Sequence, residues 1–241
     1  MAADFDARGY RPASLAELMS FVDHTLIRPE MTRSEVADGI DAACSLGTAT
    51  VVVRPWEVAW AKGLIADRGP LVCTSISFPH GAGATVAKVR ETLAAMESGA
   101  DEVDVVMNVG AFRSGFADYV LADLSAVVEA ASPRTVKVII ETGYLGRDEV
   151  VAAANLVSAS GAAFVKNGTG YSPRGATTDE TRLLRETVPA SVLVKAAGGI
   201  RTLASMLALI DAGAARIGTS STVAIADEWR AAGPGTERGH S

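Results

Sequence analysis

Histidine, cysteine and lysine are all scarce in this chain of 241 residues, at three, two and five. Three histidines, His24, His80 and the tail residue His240, are too few for a histidine-built metal centre, so no metal is expected. The two cysteines, Cys44 and Cys73, sit in apolar stretches and offer no disulfide framework, which fits a reducing cytoplasm. Met1-Ala2-Ala3-Asp4-Phe5-Asp6 has neither the basic start nor the apolar run of a secretory signal. No apolar stretch approaches the ~20 residues of a bilayer span, because Arg54, Lys137, Lys166 and Lys195 interrupt the best candidates. A phosphate-binding G-x-x-x-x-G-K-[S/T] loop and a strand-linked G-x-G-x-x-G are both missing, so nucleotide cofactors have no signal. Basic residues number 22 against 28 acidic ones, a net charge of −6, which removes the global positive field of a nucleic-acid binder. A local patch for a small anion is compatible with that balance.

What the chain does have is apolar mass: 49% hydrophobic and 21% charged residues, enough for a large core. Short β-branched runs bounded by turn residues fall at 21–27, 48–53, 71–78, 102–108, 135–141, 163–167, 191–196 and 215–218. Helical patterns fill the gaps, at 32–46, 56–67, 84–98, 116–131, 147–160, 178–187 and 202–212, and a last one follows at 220–232. Gly47, Gly99, Gly161 and Gly213 stand where left-handed helix ends are wanted. Eight strand-then-helix units without a linker predict a TIM (β/α)8 barrel rather than a doubly wound open sheet, and the length is close to the ~250 residues typical of that fold. One barrel domain is expected over residues 1–241, with solvated ends at 1–13 and 233–241.

Lysine is the most informative residue. Lys62 and Lys88 fall on helical patterns, where solvated lysines belong, but Lys137, Lys166 and Lys195 lie inside apolar strands. A single strand lysine can snorkel out beside a carboxylate. Three on separate strands ask for another reason, because a buried ammonium is costly unless it is paired or deprotonated. Two neighbouring lysines disfavour each other's charge, and burial acts the same way, leaving one neutral and nucleophilic. A neutral lysine at the C-terminal end of a barrel strand points to Schiff-base chemistry on a carbonyl substrate. Asp104, an acid among valines, is the matching proton-transfer group, or the partner of a strand lysine such as Lys137. Asp23, with Thr25 two residues on, extends the polar network from the first strand, whereas Asp101 and Glu102 are expected to be exposed at the strand entrance.

Glycine-rich turns follow the late strands: Gly168-Thr169-Gly170, Gly198-Gly199 and Gly218-Thr219-Ser220-Ser221. Loops at these places expose backbone N–H groups and helix N-termini, the usual phosphate grip of such barrels. Together they nominate Thr169, Gly170, Gly198, Gly199, Ser220 and Ser221.

In order along the chain, Asp23-His24-Thr25-Leu26, Ser77-Phe78-Pro79-His80-Gly81, Gly99-Ala100-Asp101-Glu102-Val103-Asp104, Lys137-Val138-Ile139-Ile140-Glu141-Thr142, Phe164-Val165-Lys166, Gly198-Gly199-Ile200-Arg201-Thr202 and Gly218-Thr219-Ser220-Ser221 resemble the deoxyribose-phosphate aldolases. The resemblance implies a class I aldolase that reversibly cleaves 2-deoxy-D-ribose 5-phosphate to D-glyceraldehyde 3-phosphate and acetaldehyde. It implies that Lys166 forms the Schiff base, that Lys195 lowers its pKa, and that Asp104 relays protons through water with Lys137 in support. Gly170, Gly198, Gly199, Ser220 and Ser221 match its phosphate-binding positions. No metal or organic cofactor, nucleic acid or membrane is implied, and the assembly is expected to be a homodimer or larger. Asn167-Gly168 departs from the family's usual Thr-Ser after the lysine, in a loop that touches substrate, and Arg174 beyond it is within reach of an anion. Val52 stands where many members have a cysteine, which implies resistance to inactivation by aldehydes. Two readings stay open beside this one: a related lysine aldolase for another phosphorylated sugar, and a non-catalytic sugar-phosphate-binding barrel.

Overall fold

The computed structural model describes residues 7–232. After a short helix α1 (Leu15–Met19), strand β1 (Val22–Leu26), helix α2 (Arg33–Leu46), β2 (Thr50–Val53), α3 (Val58–Ile65), β3 (Leu71–Ile76) and α4 (Thr85–Glu97) alternate. Next come β4 (Glu102–Val106), a short α5 (Val109–Arg113), α6 (Ala117–Ala131), β5 (Thr135–Ile139) and α7 (Arg147–Ala159). The chain closes with β6 (Phe164–Lys166), α8 (Thr178–Thr187), β7 (Leu193–Ala197), α9 (Leu203–Asp211), β8 (Arg216–Thr219) and α10 (Thr222–Ala232). The eight strands are parallel and close in sequence order, β1 against β8, as the alternating pattern predicted. The five-residue helices α1 and α5 have no counterpart in the sequence reading, because so few residues carry no helical period.

The four glycines expected at helix ends all have positive φ, from 70° at Gly47 to 110° at Gly213. Threonine caps several starts: Thr32 accepts from the Glu35 N–H, and Glu35 reaches back to the Thr32 N–H at 2.7 Å. The main apolar core lies between barrel and helices, built on the outward-facing strand valines such as Val51, Val103, Val105, Val138 and Val194.

Register decides what faces inward, since laterally paired residues of adjacent strands share a face. Asp104 pairs with Lys137, Lys166 with Lys195, and Lys195 with Arg216. The barrel interior, usually packed with branched apolar side chains, is here a layer of charges.

Of the expected solvated ends, residues 1–6 and 233–241 lie outside the described residues. Residues 7–13 are not a free end: Ala7 is buried, and the Tyr10 ring lies 5.6 Å from that of Phe21, because both add apolar surface to the cluster around Leu18 and Met19. No described helix is long and apolar enough to cross a membrane.

Candidate active site

Four cations and three carboxylates meet inside the barrel. Lys137 Nζ lies 2.5 Å from Glu102, 2.9 Å from Asp104 and 3.5 Å from Asp23. Lys195 Nζ donates to Asp23 at 2.5 Å and to Asp104 at 2.7 Å. Arg216 donates to Asp23 at 2.6 Å and lies 3.4 Å from Glu102. Lys166, the last residue of β6, has one ion pair among the described residues, to Asp104 at 2.8 Å. All seven are buried.

The number of carboxylate partners ranks how firmly each cation holds its proton. Fully ionised, the cluster carries one positive charge in excess, an expensive state in a buried site. The cation with the fewest carboxylates, Lys166, holds its proton least firmly. Burial pushes the Lys166 amine down, Asp104 pulls it back up, and the Lys195 charge pushes it down again, leaving it below the usual lysine value. Burial acts on Lys137 and Lys195 too, but their carboxylates outweigh it and hold both above that value. Burial raises the carboxyls of Asp104 and Asp23, and the surrounding cations more than reverse it, holding both well below the usual carboxylate range.

Above Lys166 opens a groove of about 500 Å³. Its walls are the β1 end from Thr25 to Glu30, Val52 of β2, Thr169–Tyr171 after β6, Ala197–Arg201 after β7 and Gly218–Ser221 after β8. The nominated Thr169, Gly170, Gly198, Gly199, Ser220 and Ser221 all line it. Gly198 has φ +99°, and a Cβ there would sit 3.4 Å from the Cα atoms of Gly170 and Gly175, so the two loops meet backbone to backbone. His24 Nδ1 is hydrogen-bonded to the Thr222 hydroxyl at 2.7 Å, which ties the start of α10, just after Ser221, to β1. Burial takes His24 down to about 4, so this pin is neutral.

A family model for DeoC/LacD aldolases matches residues 18–226. The chain belongs to the DeoC/LacD aldolase family. Among curated relatives, deoxyribose-phosphate aldolase 2 of Staphylococcus aureus strain MRSA252 is 48% identical over 204 residues, 85% of this chain and 93% of the relative. Deoxyribose-phosphate aldolase 1 of the same strain is 47% identical over 205 residues, with the same coverage. Among solved structures, QR15, an aldolase, superposes with a TM-score of 0.86 at 36% identity, covering 89% of this chain and 96% of that one. The tetrameric deoxyribose phosphate aldolase from Aeropyrum pernix does so at 0.85 and 30% identity, covering 91% and 94%.

Within this aldolase the structure corrects several expectations. Glu102 is not exposed at the strand entrance; it shares the inward face with Asp104 two residues on and pairs with Lys137 and Arg216. Arg216 itself was missed. Cys73 has polar company, since its Sγ lies 3.4 Å from both Asp104 and Lys137. Thr25 lines the groove, but its hydroxyl donates to the Asp23 carbonyl at 3.1 Å rather than joining the ion pairs. Lys88 is no solvated lysine: it is buried against Asp123 at 2.6 Å and the Val106 carbonyl at 3.0 Å. Half of the Asn167 amide is engaged, its oxygen accepting from the Ala197 N–H at 2.7 Å. Arg174 is held by the Thr142 carbonyl at 2.8 Å and by Glu180 at 3.5 Å. Two other arginines, Arg28 and Arg201, line the groove instead.

Proposed function

We propose that this aldolase reversibly cleaves 2-deoxy-D-ribose 5-phosphate to D-glyceraldehyde 3-phosphate and acetaldehyde through a Schiff base on Lys166. The observation that carries the reading is the isolation of Lys166: one buried lysine below its ordinary pKa, at the floor of a groove whose other end is backbone amide, serine and arginine. Neutral Lys166 adds to the C1 aldehyde and, with loss of water, gives a protonated imine. The bond between C2 and C3 is the one whose electrons the imine can accept. As it breaks, the C3 hydroxyl proton leaves through a water to Asp104, and C3 becomes the aldehyde of glyceraldehyde 3-phosphate. Asp104 returns that proton through the same water, and the enamine carbon C2 is reprotonated by this route. Water then hydrolyses the imine to acetaldehyde and free Lys166. Lys195 stays charged and holds Asp104, while Lys137 fixes the other carboxylate oxygen. Gly170, Gly198, Gly199, Ser220 and Ser221, with Arg28 and Arg201 at the rim, form the phosphate end; Thr169 lines the groove but is buried, with its hydroxyl and N–H both spent on the Glu141 carboxylate.

A different phosphorylated sugar was suggested by Asn167-Gly168. The Asn167 oxygen is engaged by the Ala197 N–H and a Cβ at Gly168 would lie 2.8 Å from Glu141, so both residues shape the loop backbone, and the relatives named deoxyribose-phosphate aldolase favour the deoxyribose reading.

Borohydride reduction in the presence of acetaldehyde, followed by peptide mapping, is the direct test. A two-carbon adduct on Lys166 is the expected result; an adduct elsewhere, or none in a folded sample, overturns the mechanism. The reading also includes a homodimer or larger assembly, which a monomeric mass by light scattering would refute. It places the protein in the cytoplasm, where thiols such as Cys44 and Cys73 stay reduced; fractionation of the host cell checks this.

A further inference from the structure

In the run from Lys137 to Thr142, Glu141 has no part in the cleavage. It lies two residues beyond the end of β5, is buried, and has φ +54°, a left-handed backbone that a residue with a Cβ adopts only when its surroundings hold it there. Among the described residues its carboxylate takes hydrogen bonds from Thr169 alone, from the N–H at 3.1 Å and from the hydroxyl at 2.5 Å. That hydroxyl in turn accepts the Tyr171 N–H at 3.0 Å. One buried carboxylate thus fixes three donors of the loop after β6.

The loop is shaped to meet it. Gly168 passes so close that a Cβ there would lie 2.8 Å from Glu141 Oε1. The Ile140 N–H donates to the Lys166 carbonyl at 3.0 Å and the Thr142 N–H to the Asn167 carbonyl at 2.8 Å, so the two segments are tied together on both sides of Glu141. Gly170, between the two residues held by the carboxylate, lines the groove and lies against Gly198. Glu141 does not line that groove, so whatever it does for a ligand it does through the loop.

We propose that Glu141 is a positioning residue for the phosphate end of the groove: it holds residues 168–171 in place, so that Gly170 stands against Gly198 before a substrate arrives. The inference rests on the reading of that end as the phosphate site. A loop ordered in advance loses less freedom on binding. Its loosening should therefore weaken the grip on a phosphate more than it slows the chemistry at Lys166.

The test compares kcat/KM for 2-deoxyribose 5-phosphate with that for unphosphorylated 2-deoxyribose, and measures inhibition by inorganic phosphate. Glu141→Gly, which suits the left-handed backbone but removes the carboxylate, should lower the phosphorylated-to-unphosphorylated ratio about five- to tenfold, the worth of roughly one hydrogen bond. The loss should fall on KM, and the inhibition constant of phosphate should rise in step. Glu141→Gln keeps the length and one acceptor oxygen, should recover part of the ratio, and carries the test by itself if Glu141→Gly does not fold. Thr169→Val should lower the ratio as well, but add little to Glu141→Gly, because both break the same latch. An unchanged ratio, an equal loss on both substrates, or a Thr169→Val effect that persists in full beside Glu141→Gly overturns the proposal. The unaltered enzyme separates the two layers. If it favours the phosphorylated sugar and the variants leave that preference intact, the role of Glu141 alone is wrong; if it shows no preference and no inhibition by phosphate, the phosphate end is misread and the role of Glu141 falls with it.

Discussion

The behaviour of Lys166 is set by two neighbours of opposite sign, and their removal should have opposite effects. Lys195 pushes the Lys166 pKa down, so Lys195→Met should move the rising limb of the pH–rate profile to higher pH and lower activity at neutrality. Asp104 pulls it up, so Asp104→Asn should move that limb to lower pH while cutting kcat by about 10²–10⁴-fold through loss of proton transfer. Steady-state pH profiles of the two variants check the pair; shifts in the same direction would contradict the charge inventory. Val52 lines the groove, and a cysteine there would place a thiol beside the reactive aldehyde. Val52→Cys should therefore inactivate faster in acetaldehyde than the unaltered enzyme, with residual activity over hours as the readout. Cys73 is no substitute for that thiol. Burial raises its pKa and the Asp104 charge adds to the effect, so it stays protonated and inert.

Between elements, the instructive case is Lys88 of α4. Its ammonium bridges Asp123 of α6 and the last carbonyl of β4, while Thr85 donates to the other oxygen of Asp123 at 2.7 Å. Removing one member of a fully buried pair leaves the other uncompensated. Lys88→Met should thus destabilise by about 3–5 kcal/mol, seen as a fall in melting temperature of roughly 10 °C. Residual activity per folded molecule should change little, because Lys88 touches no group in the groove; a stable variant with lost activity would show that β4 depends on Lys88 for more than its position. The late strands show how elements make the phosphate end. Each stops just below a turn without side-chain bulk, and Gly218 is required where it is, since a Cβ there would lie 2.9 Å from the Ala197 Cβ and 3.3 Å from the Lys195 Cε.

For the molecule as a whole, a charged barrel interior makes folding sensitive to acid. Asp23 and Asp104 are held below their unfolded values, so their contribution is complete above about pH 4 and is lost as pH falls toward the folded values. Unfolding followed by circular dichroism should show stability dropping from about pH 4 downward, and Asp23→Asn should flatten that drop. The eight alternating units, and hence the barrel, were legible from the sequence because hydrophobic period and glycine stops are local signals. So were Lys137, Lys166, Lys195 and Asp104, because a charge within a valine run has no ordinary surface reading. Glu102, Arg216 and Lys88 were not legible, since a charge at a strand start or on a helix looks solvated until its partner arrives from elsewhere in the chain. Asp123 is 35 positions from Lys88, and Asp23 is 193 from Arg216. The sequence by itself determined the fold class and the lysines that need a reason to be buried. Only the tertiary structure decided which amine is pushed below its ordinary value, because that depends on how many carboxylates surround each amine, and barrel closure brings those carboxylates from strands far apart in the chain.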